Sequence, residues 1–358
     1  MEEPQPVLGV IEGFYGEPWS WEERHASLGF LADRGFSQYL YAPKGERSLR
    51  RKWREPPPPG QAQSWADFRD ACRGNAIGFG VGLTPLGLHE TWDHQGRVDL
   101  ARRLGLLADL KLDSLAILFD DMPGNFPELA RTQAEILSFV ADCGVGARLI
   151  MCPTYYSDAE VLDKVFGRRP PGYLEELGKA LDPEVEVFWT GSEVCSKTYP
   201  ADHLAQVTAR LGRPPLVWDN YPVNDGPRMC RRLHLGAPDR PGTLREAVAG
   251  IFLNPMNQSY LSRAVLDAAG SSLALDGPQA SGPAATSAAL HRVFPTALAA
   301  LLYRDYRLFG EQGLDGIAPE ASRALIGAYR TLDHPAAREV VHWLEGKSVV
   351  SAEVLTDS

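Results

Sequence analysis

Ser114-Leu115-Ala116-Ile117-Leu118-Phe119-Asp120-Asp121 places five apolar residues in a row and ends them on two adjacent acids, followed by Met122-Pro123-Gly124-Asn125. An apolar run this short, bounded by turn residues, reads as a buried strand. Its lack of alternation suits a parallel sheet covered on both faces. Two carboxylates side by side at a strand end are costly, because like charges a few Å apart resist joint ionisation. Such an arrangement is also how one site can hold an acid and a base together. The plainer alternative is that Asp120 and Asp121 cap the next helix, since Asp is a favoured N-cap and Phe126 to Gly144 has helical spacing.

Outward from this stretch, seven more strands are legible. They are Val7 to Gly13, Gln38 to Pro43, Phe79 to Pro85, Ala147 to Thr154, Val185 to Thr190, Pro215 to Asn220 and Gly250 to Pro255. Helical spacing separates them over Trp19–Arg34, Ser64–Ala76, Arg97–Lys111, Phe126–Cys143, Gly172–Leu181 and Ala201–Leu211. Ser64 with Asp67 is in capping-box position. Short helices fall near Met229 and Leu244, and a helix from Ser259 to Ala269 closes the set. Eight strands alternating with helices have the count and size of a (β/α)8 TIM barrel. A doubly wound sheet has fewer strands and a glycine-rich phosphate loop, and neither GxGxxG nor a Walker A motif is present.

These elements divide the chain into a barrel over 1–268, a Gly/Ser/Ala/Pro-rich linker or loose loop over 269–287, a small helical C-terminal region over 288–348 and a frayed tail over 349–358. Helical patterns within that region cover Ala288–Leu308, Ser322–Leu332 and Ala336–Leu344.

Composition narrows the function. Of 358 residues, 44% are hydrophobic and 23% charged, which is ordinary for a soluble globular protein. The net charge of −10 argues against nucleic acid or an anionic membrane as partner. Cys72, Cys143, Cys152, Cys195 and Cys230 are odd in number and form no CxxC. They read as reduced thiols, and Cys152 and Cys195 as buried packing residues. The acidic, Pro-rich Met1 to Pro6 is not a signal peptide, and no apolar run spans a membrane, so the cytoplasm is the expected location.

In a barrel of this class the active site lies at the C-terminal ends of the strands. There the chain places Glu12-Gly13, Lys44, Asp120-Asp121, Thr154-Tyr155-Tyr156, Trp218-Asp219-Asn220, Asn224-Asp225 and Asn254. Asn, Asp and Lys hydrogen-bond hydroxyls while Trp and Tyr pack on a ring face, so the inventory suits a sugar. Adjacent side chains of a regular strand face opposite ways, so both acids serve one site only if the chain bends, as Met122-Pro123-Gly124 permits. Neighbouring carboxylates fit poorly with direct nucleophilic attack, which places the groups on opposite sides of the bond, and fit a nucleophile supplied by the substrate.

Several motifs, taken in order, sharpen this. Gly9-Val10-Ile11-Glu12-Gly13-Phe14-Tyr15-Gly16-Glu17-Pro18-Trp19, Tyr39-Leu40-Tyr41-Ala42-Pro43-Lys44 with Trp53-Arg54-Glu55, and Leu118-Phe119-Asp120-Asp121 come first. Cys152-Pro153-Thr154, Trp189-Thr190-Gly191, Val217-Trp218-Asp219-Asn220 with Asn224-Asp225, and Leu253-Asn254-Pro255 follow. Together they resemble glycoside hydrolase family eighty-four, the O-GlcNAcase and bacterial β-N-acetylglucosaminidase family. The resemblance implies substrate-assisted hydrolysis with retention through an oxazoline, without a cofactor. It implies that Asp120 orients the acetamido N–H and Asp121 is general acid and base. Tyr156 would stand near the acetamido group and Trp218 form an aromatic wall, while Gly13, Lys44, Asn220, Asp225 and Asn254 hold the hydroxyls. The chain departs from the human-type motif at Tyr155, where that motif has Glu, matches no pattern over Ser157–Pro170, and lacks a long helical stalk.

Two readings from other classes stand beside it: a sugar-sensing barrel without hydrolysis, and a metal-dependent hydrolase using the two acids as ligands. His89-Glu90-Thr91-Trp92-Asp93-His94 lacks HExxH spacing and reads as a polar loop. Pro56 to Pro59 reads as a rigid spacer. Arg47 to Arg54 reads as a solvated loop face or as part of the sugar-pocket wall.

Overall fold

The computed structural model describes residues 6–274 and 281–350. Its eight strands are β1 Val7–Glu12, β2 Gln38–Tyr41, β3 Gly78–Leu83, β4 Ser114–Leu118, β5 Arg148–Cys152, β6 Glu186–Trp189, β7 Leu216–Asp219 and β8 Gly250–Leu253. All pairings are parallel, and β1 pairs with both β2 and β8, with Val10 opposite Tyr39 and Leu253, so the sheet closes into a barrel. Every residue of β4 is buried, as a strand between barrel interior and helix layer must be.

The helices are α1 Trp21–Ala32, α2 Gln61–Gly74, α3 His94–Ala108, α4 Leu129–Asp142, α5 Glu160–Phe166, α6 Tyr173–Ala180, α7 Ala201–Leu211, α8 Gly226–Met229 and α9 Ser259–Leu273. Beyond the barrel lie α10 Gly282–Val293, α11 Thr296–Arg307, α12 Gly313–Gly316, α13 Pro319–Arg330 and α14 Pro335–Leu344. The expected (β/α)8 barrel followed by C-terminal helices is the fold observed.

The differences are local. The capping box forms at Ser20 and Glu23, where each side chain meets the other's backbone N–H. It does not form at Ser64 and Asp67: α2 begins after Gly60, and the Ser64 hydroxyl donates to the Gly60 carbonyl one turn back. Helix α4 is capped at Glu128, so Asp120 and Asp121 are not its caps. Helix α5 occupies part of the stretch that matched no pattern. Helix runs to Leu273 and resumes at Gly282, inside the Gly/Ser/Ala/Pro-rich segment, because that segment's alanines favour helix once packed. Residues 275–280 lie outside the described part. Val350 is buried and donates its N–H to Cys230 Sγ, so the chain is still anchored at the start of the expected tail; 351–358 lie outside the described part.

Arg47 to Arg54 is divided: Arg47, Arg51, Lys52 and Arg54 are exposed, whereas Ser48, Leu49, Arg50 and Trp53 are buried, the Trp53 indole N–H donating to the Leu86 carbonyl and Arg50 to the Tyr15 hydroxyl. His89 is buried, stacks on Phe126 and bonds the Pro123 carbonyl at 2.7 Å, so the polar-loop residue braces the turn after the acid pair. Among the described residues no group of three or more His, Cys, Asp or Glu could hold a metal ion, and no helix is long and apolar enough to cross a membrane.

The C-terminal helices gather their own apolar cluster, with Leu302, Phe309, Tyr329, Val340 and Trp343 meeting Leu261 and Ala264 of α9. Glu339 of α14 accepts the Tyr260 and Leu261 backbone N–H groups, capping α9 from across the interface. At the barrel's first strand, Glu12 turns outward. It takes a fork of bonds from Arg24 at 2.7 and 2.8 Å and one from the Tyr39 hydroxyl at 2.8 Å, all buried. Truncating one member of a buried pair leaves an unpaired charge. We therefore expect Glu12→Ala to lower stability by about 3–5 kcal/mol in chemical denaturation, although Glu12 touches no part of the pocket described below.

Candidate active site

The chain reverses direction at Asp121, whose φ of 59° is left-handed. Asp tolerates this backbone better than most residues, but it remains strained. The bend therefore sits on the second acid itself, one residue earlier than Met122-Pro123-Gly124. It has the consequence the alternation rule requires: Asp120 and Asp121 line the same pocket, of about 270 Å³, at the C-terminal mouth of the barrel.

All nine sequence-chosen residues meet there: Gly13, Lys44, Asp120, Asp121, Tyr156, Trp218, Asn220, Asp225 and Asn254. Asp120 is buried, and one of its oxygens pairs with the Lys44 ammonium, which also lies 5.5 Å from the Trp218 ring centre. Its other oxygen, Oδ1, is buried without a hydrogen-bond partner in the protein. Asp121 is only half-buried. It accepts the Tyr15 hydroxyl at 2.6 Å and the Tyr156 hydroxyl at 3.4 Å. Burial first, and then the Asp121 charge, push both phenols far above their ordinary pKa, so they stay protonated donors.

The opposite wall is held by a chain of amides. Gly13 N–H donates to Asn254 Oδ1, Asn254 donates to Asn220 Oδ1, and the Trp218 indole N–H donates to the same oxygen at 3.0 Å. Asn220 in turn donates to the Val194 carbonyl. Gly13 has no side chain because a Cβ there would stand 2.4 Å from the Trp218 ring. The glycine lets the indole's six-membered ring come close to the backbone at the end of the first strand. Asp225 accepts the Tyr15 backbone N–H at 2.9 Å, tying the β7 loop to the β1 loop.

Other rim residues face away. Asp219 binds Arg240 through both oxygens at 2.5 and 2.9 Å, Thr154 accepts from Gln133 and donates to the Phe119 carbonyl, and Tyr155 donates to the Gly167 carbonyl. Strand alternation explains Asp219 and Tyr155, each one position from a pocket residue; Thr154, two positions from Cys152 and Tyr156, is turned away by its bonds to Gln133 and Phe119. Asn224 joins Gln258, Arg232 and Asn257 beneath the loops. Sequence reasoning assigned no role to Tyr15, Thr190, Val194, Val223 or Gly226, which also line the pocket. Tyr15 stood in the opening motif two residues after Gly13, the signal that could have found it. Cys152 is buried as expected yet lines the pocket floor, whereas Cys195 is exposed rather than buried, on a loop no apolar pattern describes.

A family model described as beta-N-acetylglucosaminidase matches residues 8–302. The chain belongs to this family of glycoside hydrolases. It is 33% identical over 260 residues to Protein O-GlcNAcase of Rattus norvegicus, and equally to that of Mus musculus, matching 70% of this chain and 28% of each relative. The chain thus spans well under half the length of these relatives. Among solved structures, a mutant O-GlcNAc hydrolase of Thermobaculum terrenum superposes with a TM-score of 0.74 and 29% identity, over 95% of this chain and 81% of that one.

The site carries one testable electrostatic strain. Burial raises the Asp225 carboxyl from the ordinary carboxylate range to about 6. A raised acid pKa means the folded state holds its proton more tightly than the unfolded chain. Stability therefore falls as pH climbs from about 4 through about 6. Asp225→Asn keeps an acceptor without the charge, so its Tm should equal wild type near pH 4 and exceed it by about 2–4 °C at pH 8. Calorimetry across that range checks it; a lower Tm for the variant at pH 8 contradicts the sign.

Proposed function

We propose that the chain is a retaining exo-β-N-acetylglucosaminidase that hydrolyses terminal β-linked GlcNAc, from modified protein or other glycosides, by substrate-assisted catalysis. The observation that carries this reading is the pair of adjacent carboxylates in one pocket, one holding a buried oxygen with no protein partner. Carboxylates that flank a glycosidic bond as nucleophile and acid stand about 5–5.5 Å apart on opposite sides of the bond. Successive residues on one wall are poorly placed for that, so the nucleophile comes from the substrate.

In the proposed mechanism Asp120 Oδ1 accepts the acetamido N–H, drawing electron density to the acetamido carbonyl oxygen. That oxygen attacks the anomeric carbon as the bond to the leaving oxygen breaks, and the leaving oxygen takes a proton from Asp121. The oxazoline that results is opened by water at the same carbon, with Asp121 taking the water's proton. Lys44 holds Asp120 in place through their ion pair. Tyr15 and Tyr156 fix the Asp121 carboxylate by hydrogen bonds, and Trp218 walls the acetamido group. Asn220, Asn254, Asp225 and the Gly13 backbone offer hydroxyl partners around the rest of the ring. Preorganised donors and acceptors of this kind do their work in a pocket with little water. The five free thiols support action in a reducing compartment, the cytoplasm.

The test is turnover of a chromogenic β-GlcNAc glycoside by wild type, Asp120→Asn and Asp121→Asn. Both variants should lose about 10²–10⁴ in kcat/KM. A leaving group that needs no protonation should restore much of the rate to Asp121→Asn and little to Asp120→Asn. A folded wild type that binds GlcNAc without turnover would instead establish a sugar sensor.

A further inference from the structure

Behind the pocket wall stands a buried cation that no step of the mechanism uses. Arg50 lies in the loop between β2 and α2, is buried, and does not line the catalytic pocket. One guanidinium nitrogen donates to the Tyr15 hydroxyl at 3.2 Å, and the central carbon of the group lies 5.6 Å from the centre of the Tyr15 ring. That hydroxyl donates in turn to Asp121 Oδ2 at 2.6 Å. The other carboxylate oxygen, Oδ1, takes the longer bond of 3.4 Å from the Tyr156 hydroxyl.

Donor chemistry gives this relay a direction. A guanidinium can only donate, whereas a phenol has one hydrogen and can also accept. With Arg50 donating to its oxygen, the Tyr15 hydroxyl directs its hydrogen to Asp121 Oδ2, the acceptor it meets among the described residues. Burial and then the Asp121 charge hold that hydrogen on the phenol, against the pull of the Arg50 charge. Bonds that share an atom in this way polarise and strengthen one another. The loop around Arg50 is itself fixed: the Leu49 carbonyl accepts the Thr84 N–H at 2.8 Å, and Arg103 donates to the Trp53 carbonyl at 2.7 Å.

We propose that Arg50 is a positioning residue for the hydrolytic step: through Tyr15 it commits Asp121 Oδ2 as an acceptor, so that the proton Asp121 transfers sits on Oδ1. The inference rests on the hydrolase reading above. The proton passes from Oδ1 to the leaving oxygen as the bond to the anomeric carbon breaks. A proton from water returns to Oδ1 as the oxazoline opens, so the carboxyl ends each cycle as it began. Arg50 lies outside the pocket lining, and its loss is therefore felt in proton transfer and not in sugar binding.

The experiment compares two β-GlcNAc glycosides: a dinitrophenyl glycoside, whose leaving group needs no protonation, and a methyl glycoside, whose leaving group does. The enzymes are wild type, Arg50→Met, Arg50→Lys, Tyr15→Phe and the double variant of Arg50→Met with Tyr15→Phe; thermal unfolding confirms that each folds. Arg50→Met should lose about twentyfold in kcat/KM on the methyl glycoside and only about threefold on the dinitrophenyl glycoside. Its affinity for GlcNAc, read by calorimetry, should stay within about twofold of wild type. Arg50→Lys, which keeps a donor, should recover part of the loss on the methyl glycoside. In the Tyr15→Phe background Arg50→Met should cost no more than about twofold further on that substrate, because residues acting through one another are not additive. Equal losses on both glycosides, a fall in GlcNAc affinity that accounts for the loss, or fully additive losses in the double variant would overturn the assignment. Should Arg50→Met not fold, Arg50→Lys decides by the same contrast between the two glycosides. No turnover by wild type fails the hydrolase reading and the assignment with it; wild-type turnover that Arg50→Met leaves unchanged fails the assignment alone.

Discussion

Two successive residues of a strand cannot both face the same pocket, and the site depends on the one backbone reversal that lets them. Asp121 takes the left-handed conformation at the end of β4, and its carboxylate swings to the side already occupied by Asp120. The strain is local and is held from outside. His89 bonds the Pro123 carbonyl, and Gly124 N–H donates to the Phe166 carbonyl, so the chain beyond the turn cannot relax back into the strand direction. Residues in sparsely populated backbone regions persist only where their surroundings over-determine them. Here the surroundings are a buried histidine from the loop after β3 and the end of α5.

Charge is confined to the same economy of placement. Glu12 with Arg24, and Asp219 with Arg240, are complete buried pairs on the outer side of the strands that carry Gly13 and Trp218. Buried pairs of this kind contribute little net stability. Their value lies in geometry: each fixes the end of a strand whose next residue faces the pocket. Lys44 and Asp120 form the corresponding pair on the inner side. It differs because one carboxylate oxygen has no hydrogen-bond partner in the protein, the oxygen to which the proposed mechanism gives the substrate N–H.

The barrel was legible because parallel strands buried on both faces must be apolar throughout, and eight such runs with helices between them admit few other architectures. The pocket residues were legible because strand ends are where such a barrel exposes side chains. What alternation decides was less so. Glu12, Thr154, Tyr155 and Asp219 share the rim by sequence position, yet each faces away from the pocket, and composition alone does not reveal a strand's phase at its last residue. Arg50 and Trp53 looked solvated because Arg and Pro surround them; tertiary packing buried them. The Gly/Ser/Ala/Pro-rich segment looked like a linker, but its alanines became helix when α10 packed on α9. The capping box expected at Ser64 does not form because Gly60, with its left-handed backbone, already starts α2 one turn earlier.

The same packing logic bears on how the pocket handles water. Tyr15 and Tyr156 are phenols kept protonated by burial, and they place donors on Asp121 without adding a charge to the site. Trp218 packs closely against Gly13, and Asn220, itself bonded by Asn254, accepts the indole N–H. Around two carboxylates the structure therefore sets one cation, neutral donors and an aromatic wall. In such a setting each hydrogen bond to a developing charge is stronger than in water, and little reorganisation is required when the charge appears. The half-buried position of Asp121, against the buried position of Asp120, divides the two acids by exposure. In the proposed mechanism the acid that exchanges protons with the leaving group is thus the more exposed of the two, and the one that holds an N–H is the buried one.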